Sequence, residues 1–228
     1  MQIAVVGATE RVGHKVLNIL AEFQDEEKIS IDSIIVLASK KSKGEKVSFG
    51  NEELTVLCLE DYDFVEVNIA IFYAGAHVSE KYVPIATETG CIVIDNSFHF
   101  RMKEGEDIKV TSACVRVPVF IGHAIAVNVE FYQPITEEQA RRVLGEAEDN
   151  GVLVYDRREG GEYTTQIDVV QENAVYVSRI GKDNTVEHGL NMWIVADNLR
   201  KGAALNIVQI LEILAKEYCN FYTPNGSA

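Results

Sequence analysis

Two glycines, Gly7 and Gly13, follow the first apolar run of the chain in a pattern suited to binding phosphate. Residues 7–13 read GATERVG, directly after the apolar run 2–6 and at the start of a stretch with helical periodicity. Such a turn directs backbone N–H groups and the positive end of a helix at a pyrophosphate. Glu10 replaces the usual middle glycine, and its carboxylate repels phosphate. The alternative is a strand–turn–helix whose glycines serve the turn alone.

A second turn concentrates positive charge. Residues 39–44 read SKKSKG, which places three lysines and two hydroxyls in six residues of an acidic chain. At this position of a dinucleotide-binding fold, an acidic residue would bind a ribose 2′-OH, whereas cations and hydroxyls suit a 2′-phosphate. Taken alone, the segment equally fits an ordinary solvated loop. Together the two turns favour NADP.

Arg116 and His123 are candidates for binding and catalysis. Arg116 lies among valines in a predicted strand, and a guanidinium fork suits bidentate recognition of a carboxylate. The alternative is a structural ion pair. His123 follows a glycine at a predicted strand-end turn, where an imidazole can exchange protons near neutral pH or simply remain solvated.

Composition excludes several classes of protein. The chain has 228 residues and a net charge of −14, which opposes nonspecific binding to nucleic acid or an anionic membrane. The four cysteines, at 58, 91, 114 and 219, form no C-x-x-C motif or metal-ligand cluster with histidine, so we expect reduced thiols and no metal. We expect a cytoplasmic protein, because no signal peptide or membrane span is recognisable.

The first hundred residues alternate between strand and helix patterns. Apolar runs predict strands at 2–6, 31–37, 54–57, 68–72 and 91–94, and helical spacing predicts helices at 11–23 and 77–88. Continuous β-branched runs are typical of a parallel sheet that is buried on both faces. This half therefore predicts an α/β, Rossmann-like domain.

The second half predicts a smaller α+β domain with mostly antiparallel strands. Its predicted strands are 109–120, 124–131, 152–155, 174–180 and 190–196. Thr136 and Gln139 form a capping box for a helix reaching about residue 147, and a last helix covers 199–216. The charged stretch 102–107 is the predicted boundary. With a single covering helix, one sheet face is left for a partner.

Longer motifs now become informative. They are CIVIDNSFHFRM at 91–102, LASKKS at 37–42, CVRVPVFIGH at 114–123 and GLNMWIVADNLRKGAA at 189–204. With the opening turn, they make the chain resemble the aspartate-semialdehyde dehydrogenase family over nearly all of residues 1–216. The resemblance implies a dinucleotide-binding domain of 1–102 plus 199–228, and a catalytic and dimerisation domain of 103–198. It also implies a homodimer and the NADP-linked interconversion of aspartate semialdehyde and aspartyl phosphate, for lysine, threonine and methionine biosynthesis.

The resemblance also implies roles for individual residues. Arg101 would bind the substrate phosphate, Arg116 the substrate carboxylate, and His123 would be the acid–base catalyst. Lys41 and Ser42 would hold the cofactor 2′-phosphate. The full set of implied cofactor-binding residues is Gly7, Thr9, Glu10, Arg11, Val12, Gly13, Ser39, Lys41, Ser42 and Asn198.

The family's nucleophile is absent from this sequence. In the family, a thiolate adds to the aldehyde, hydride passes to the nicotinamide, and phosphate releases the thioester. That cysteine stands in an Asn-Cys-Ser/Thr motif, yet no cysteine here precedes Ser or Thr. The family's Pro-Glu-Val-Asn stretch, glutamine-bearing strand and nicotinamide-contacting Ser-Gly loop are also absent, and all belong between 102 and about 108. We therefore predict an internal deletion: natural, engineered, or a gap in the sequence of a longer protein.

Three hypotheses follow. The chain is an active enzyme using another cysteine, of which Cys114 lies two residues from Arg116, although a cysteine inside a strand is usually an inert hydrophobe. Otherwise it is a non-catalytic nucleotide- or partner-binding remnant. The third, an unrelated Rossmann-type reductase, lacks the Tyr-x-x-x-Lys spacing such a reductase would use. We predict a chain that is inactive or nearly so.

Overall fold

The computed structural model describes residues 1–97, 99, 114–156 and 163–217. The chain divides into two compact units, one containing Met1–Thr111 and Ala203–Ala228, the other Ser112–Gly202. The predicted boundary at 102–107 lies outside the described residues. In the described part of the chain, no helix is long and apolar enough to cross a membrane.

The first unit is built on a five-stranded parallel sheet. Its elements in chain order are β1 Gln2–Val6, α1 Arg11–Asp25, β2 Ser33–Ala38, β3 Lys46–Phe49, β4 Glu52–Thr55, β5 Leu57–Cys58, β6 Ile69–Phe72, α2 Ala76–Glu88 and β7 Ile92–Asp95. The sheet order is β5-β2-β1-β6-β7, so the chain first builds outward from β1 on one side and then crosses to the other. The predicted Rossmann-like architecture is confirmed.

Burial explains why these segments fold as they do. Every residue of β6 is buried, as are four of the five residues of β1, so these strands are covered on both faces. Helix α1 is amphipathic, and Val16, Ile19 and Leu20 are fully buried along one side. The apolar periodicity of the sequence therefore corresponds to the faces that these elements bury.

A β-hairpin between β2 and β5 escaped the sequence prediction. Strands β3 and β4 pair antiparallel around a turn at Gly50, which has a φ of +55°. The sequence predicted only one strand there, at 54–57. The hairpin is largely exposed and only Val47 is fully buried, so the segment lacks the apolar run that marks a core strand.

The second unit contains a four-stranded sheet with one helix packed against it. Its elements are β8 His123–Glu130, α3 Glu137–Gly145, β9 Val152–Val154, β10 Val175–Asp183 and β11 Gly189–Ala196. The order is β8-β11-β10-β9, antiparallel except for the short edge strand β9. The capping box is present: the Gln139 amide donates to Thr136 Oγ1 at 3.2 Å, and the Thr136 amide donates to Gln139 Oε1 at 2.8 Å.

Helix α3 covers only one face of this sheet, where Ala140, Val177 and Leu190 form part of the core. A groove of about 580 Å3 lies on the sheet, and its lining includes Asn128 and Trp193. After β11, a π-helical turn, Arg200–Ala204, leads into α4, Leu205–Glu217, which packs against α1 and β7 in the first unit.

The predicted strand at 109–120 is wrong over the described residues 114–120. They form no strand, and each is exposed, with Phe120 completely so. A β-prone sequence forms a strand only where a neighbour completes its hydrogen bonds, and Pro118 has no amide to contribute. Cys114 and Arg116 accordingly have no shared strand face, contrary to prediction, and Cys114 is exposed rather than strand-interior.

Candidate functional site

Both glycines of the first turn occupy positions that exclude a side chain. Gly7 has a φ of +88°, and a Cβ built on it would lie 2.1 Å from the carbonyl oxygen of Tyr73. A Cβ on Gly13 would lie 2.2 Å from the carbonyl oxygen of Gly7. The first contact lets the turn pass close to the loop after β6, and the second lets α1 pack onto the turn.

Hydrogen bonds bring three strand ends together at the carboxyl edge of the sheet. The Leu37 carbonyl oxygen accepts from the amides of Gly7 at 2.9 Å and Ala8 at 3.2 Å, which fastens the glycine turn to the end of β2. The Tyr73 amide donates to the Val6 carbonyl oxygen at 2.9 Å. The strand order reverses between β1 and β6, and open α/β sheets bind ligands in the crevice at the carboxyl edge of such a reversal.

Helix α1 starts at this crevice. Glu10 is its N-cap residue, with a φ of −81°, and its exposed side chain makes no capping hydrogen bond. That backbone conformation suits any residue, so glutamate replaces glycine here without strain and changes only charge and bulk. Thr9 is half-buried, Arg11 is exposed and Val12 is buried.

The lysine-rich turn follows β2 as a short 3₁₀ turn, Lys40–Ser42. The Ser42 amide donates to the Ser39 carbonyl oxygen at 2.9 Å, and both Ser39 and Lys41 are exposed. Lys43 forms an ion pair with Asp61 at 3.3 Å. Asp61 therefore already neutralises part of the positive charge that this turn would offer to a 2′-phosphate.

Sequence reasoning missed the loop after β6, residues 73–75, although it lies against the glycine turn. Gly75, with a φ of +81°, caps the N-terminus of α2. The signal was available, since Ala74 and Gly75 stand between a buried strand and a helix here, just as Gly7 and Ala8 do after β1.

In the second unit, His123 is the exposed first residue of β8 and pairs with Ala196 of β11. Gly122 before it is buried, with a φ of +102°, and a Cβ there would lie 2.8 Å from Gln166 Cβ. The Gly122 amide donates to Asn198 Oδ1 at 2.8 Å. The backbone that leads into His123 is therefore held from both sides.

The segment that carries Asn198 is organised by Asp197, whose exposed fraction is 2%. Its carboxylate accepts from the amides of Gln171 at 2.9 Å, Leu199 at 2.8 Å and Arg200 at 3.2 Å. A buried carboxylate is stable only when satisfied in this way. Burial also lowers the pKa of the neighbouring Lys201.

The remaining predicted residues are not gathered into one site by the described structure. Arg116 is exposed outside any helix or strand, Asn198 belongs to the second unit, and Arg101 lies outside the described residues. The described part of the chain has no group of three His, Cys, Asp or Glu side chains able to hold a metal ion.

No described cysteine has the setting of a reactive thiolate. Cys58 and Cys91 are buried, and desolvation raises the pKa of Cys91 to about 11. Cys114 is exposed, but it precedes no helix whose dipole could stabilise a thiolate. Cys219 lies outside the described residues.

The parallel sheet and its glycine turn define a Rossmann-like α/β protein with a second, mostly antiparallel unit. A family profile described as semialdehyde dehydrogenase, dimerisation domain, matches residues 95–201. An aspartate-semialdehyde dehydrogenase of Rickettsia bellii is 31% identical, covering 95% of this chain and 98% of the relative. The chain belongs to the aspartate-semialdehyde dehydrogenase family.

Solved structures agree with this assignment. Aspartate-semialdehyde dehydrogenase II of Vibrio cholerae has a TM-score of 0.82 at 25% identity, covering 95% of this chain and 99% of that one. The Candida albicans enzyme, solved with NADP, has a TM-score of 0.74 at 16% identity, covering 93% of this chain and 98% of the other, and shows the fold alone.

Proposed function

We propose that this chain is an NADP-binding, homodimeric member of the family that lacks the catalytic nucleophile. In this proposal the interconversion of L-aspartate 4-semialdehyde and L-4-aspartyl phosphate, which leads to lysine, threonine and methionine, is lost or nearly lost. The observation that carries it is the state of the cysteines: two are buried, and the one exposed among those described precedes no helix.

The crevice at the carboxyl edge of the parallel sheet supports the cofactor assignment. Gly7 lets the turn pass close to the loop after β6, Gly13 lets α1 pack onto the turn, and the N-terminus of α1 faces the same turn. Lys41 and Ser42 would hold the 2′-phosphate, with Ser39 beside them. Glu10 weakens the binding of the pyrophosphate without closing the turn. When bound, NADP would accept the hydride.

The alignment with relatives supports an internal deletion. The match to the Rickettsia bellii enzyme extends over 337 positions and spans 98% of that protein, although this chain has only 228 residues. The match to the Legionella pneumophila enzyme extends over 341 positions. A continuous gap after residue 102 accounts for both the missing nucleophile motif and the excess of aligned positions.

Substrate-binding groups remain in the sequence. Arg116 would take the substrate carboxylate, Arg101 its phosphate, and His123 would transfer a proton. The exposure of Arg116 and His123 fits groups that contact a small molecule. A Vibrio cholerae relative of 25% identity has been solved with the semialdehyde bound, which makes that aldehyde the substrate to test first.

The match to a dimerisation domain and the partly uncovered sheet of the second unit support a homodimer. The free thiols of Cys58, Cys91 and Cys114 support a reducing compartment, and we infer a cytoplasmic protein. Sedimentation over a range of concentrations tests the dimer, and a clean monomer at every concentration would rule it out.

One experiment separates the inactive chain from an active one. Purified protein, with its intact mass checked against the 228 residues, is incubated with aspartate semialdehyde, phosphate and NADP while NADPH absorbance is followed. We expect no turnover at any enzyme concentration, together with saturable NADP binding by fluorescence or calorimetry.

The matched variant is Cys114→Ser, because Cys114 is the exposed cysteine among those described. Turnover that disappears in Cys114→Ser would establish an active enzyme with a displaced nucleophile and refute the proposal. Turnover that survives the substitution would refute it as well, and would direct attention to Cys219. Absence of NADP binding would instead refute the cofactor assignment.

A further inference from the structure

The hydrogen bond between Gly122 and Asn198 suggests a role for Asn198 that differs from contacting the cofactor. We propose that Asn198 is a positioning residue for His123, holding through its side-chain oxygen the backbone from which the imidazole is presented. The inference rests on the proposed acid–base role of His123.

The first step is the geometry of Gly122. Its positive φ of +102° is strained for residues other than glycine, and the space beside its Cα is filled by Gln166. Its amide is buried and donates to Asn198 Oδ1 at 2.8 Å. A buried amide that loses its acceptor is unfavourable, so this bond has a strong influence on the local conformation.

The second step is the rigidity of the acceptor. Asn198 follows the buried Asp197, whose carboxylate is held by amides from residue 171 and from the turn after β11. The backbone of Asn198 is therefore held in place by the hydrogen bonds of its neighbour Asp197. Because its backbone is held in place, Asn198 can also hold the Gly122 amide that donates to its side-chain oxygen.

The third step is the position of His123. It pairs with Ala196 at the end of the β8–β11 ladder, where strands fray most easily. Asn198 lies two residues beyond Ala196 and bonds the residue just before His123. The pairing with Ala196 restrains the backbone of His123, and the hydrogen bond to Asn198 restrains the residue before it. The imidazole itself is exposed.

The test is residue-resolved amide hydrogen exchange on the full chain, which requires neither turnover nor cofactor. We expect Asn198→Ala to accelerate exchange at Gly122 by about tenfold, the loss of roughly one hydrogen bond. Asn198→Asp keeps an acceptor at the same position and should preserve protection. NMR three-bond scalar couplings about χ1 of His123 report how well its ring is positioned. We expect rotamer-averaged values in the alanine variant and values like those of the wild type in the aspartate variant.

Asn191→Ala is the matched control, since Asn191 lies on β11 and its side chain accepts from Asn128 at 2.9 Å, away from Gly122. Exchange at Val177 and Leu190 in the core reports whether the unit remains folded. Unchanged exchange at Gly122 in Asn198→Ala would overturn the proposal. So would loss of protection in a folded Asn198→Asp variant. An inactive chain that shows the expected exchange pattern would leave the positioning role intact.

Discussion

The carbonyl oxygen of Leu37 accepts a hydrogen bond of 2.9 Å from the amide of Gly7. One residue of β2 thereby fixes the distance between the glycine turn and the lysine-rich turn that follows. The pyrophosphate and the 2′-phosphate of a dinucleotide are separated by a ribose, so a binding site for both needs such a fixed spacing. This bond therefore sets the spacing between the two turns that the sequence predicts to bind NADP.

Substitution at Gly7 should be much more costly than the same substitution at Gly44. Both have nearly the same positive φ, +88° and +89°, but a Cβ at Gly7 meets the Tyr73 carbonyl oxygen, whereas nothing lies within 4 Å at Gly44. We expect Gly44→Ala to lower the free energy of unfolding by about 1–2 kcal/mol and Gly7→Ala by about 3 kcal/mol or more. Urea denaturation measures both, and equal losses would contradict the assigned contact.

Removing the charge of Glu10 should strengthen NADP binding. Its carboxylate lies at the N-terminus of α1, so Glu10→Gln removes repulsion of the pyrophosphate while leaving the backbone unchanged. We expect affinity to rise by about two- to fivefold at low salt and the gain to shrink as salt is added. Asp25→Asn, at the far end of the helix, is the control for net charge. A gain of equal size in Asp25→Asn would mean that the effect is not local.

Lys41 should discriminate between NADP and NAD, whereas Lys43 should not. Lys43 is already paired with Asp61, and Lys41 is exposed on the turn after β2. We expect Lys41→Ala to weaken NADP binding severalfold with little change for NAD, because only NADP carries the 2′-phosphate. Lys43→Ala serves as the control in the same titrations. Similar losses for both cofactors would place the 2′-phosphate elsewhere.

Cys91 should make stability fall at alkaline pH. Desolvation raises the pKa of the folded thiol from 9.0 to about 11, so the unfolded chain loses this proton first as pH increases. Below pH 9 the thiol is protonated in both states and has no effect. Between pH 9 and 11 its titration lowers the free energy of unfolding, by about 2–3 kcal/mol once the pH reaches the folded pKa. Denaturation of Cys91→Ala and wild type between pH 8 and 11 measures the difference. Parallel curves would show that Cys91 titrates normally.

Periodicity predicted the parallel sheet and α1 well because these elements bury nearly whole faces, as Ile3, Val5 and Leu20 show. It failed at residues 114–120, where a valine at every second position predicted a strand, although none of the described strands pairs with this segment. Hydrogen-bond partners are a property of the assembled sheet, and local sequence does not record them.

The candidate site was predictable to a similar degree. The glycine turn is a local signal, and its residues occupy the expected place at the end of β1. The bond from Gly122 to Asn198 joins residues 76 positions apart, so no local pattern could have revealed it. The loop at 73–75 was missed for a different reason, since Tyr73, Ala74 and Gly75 carry no charge that would indicate a binding site.

Helix α4 has a consequence for how the protein is made. It packs against α1 and β7, and buries Leu205, Val208 and Leu211, yet it is translated after the entire second unit. On the ribosome, the parallel sheet therefore emerges with one of its covering helices still unsynthesised. The second unit ends at Gly202, before α4 begins, so we expect its core to form before α4 covers the earlier-made sheet.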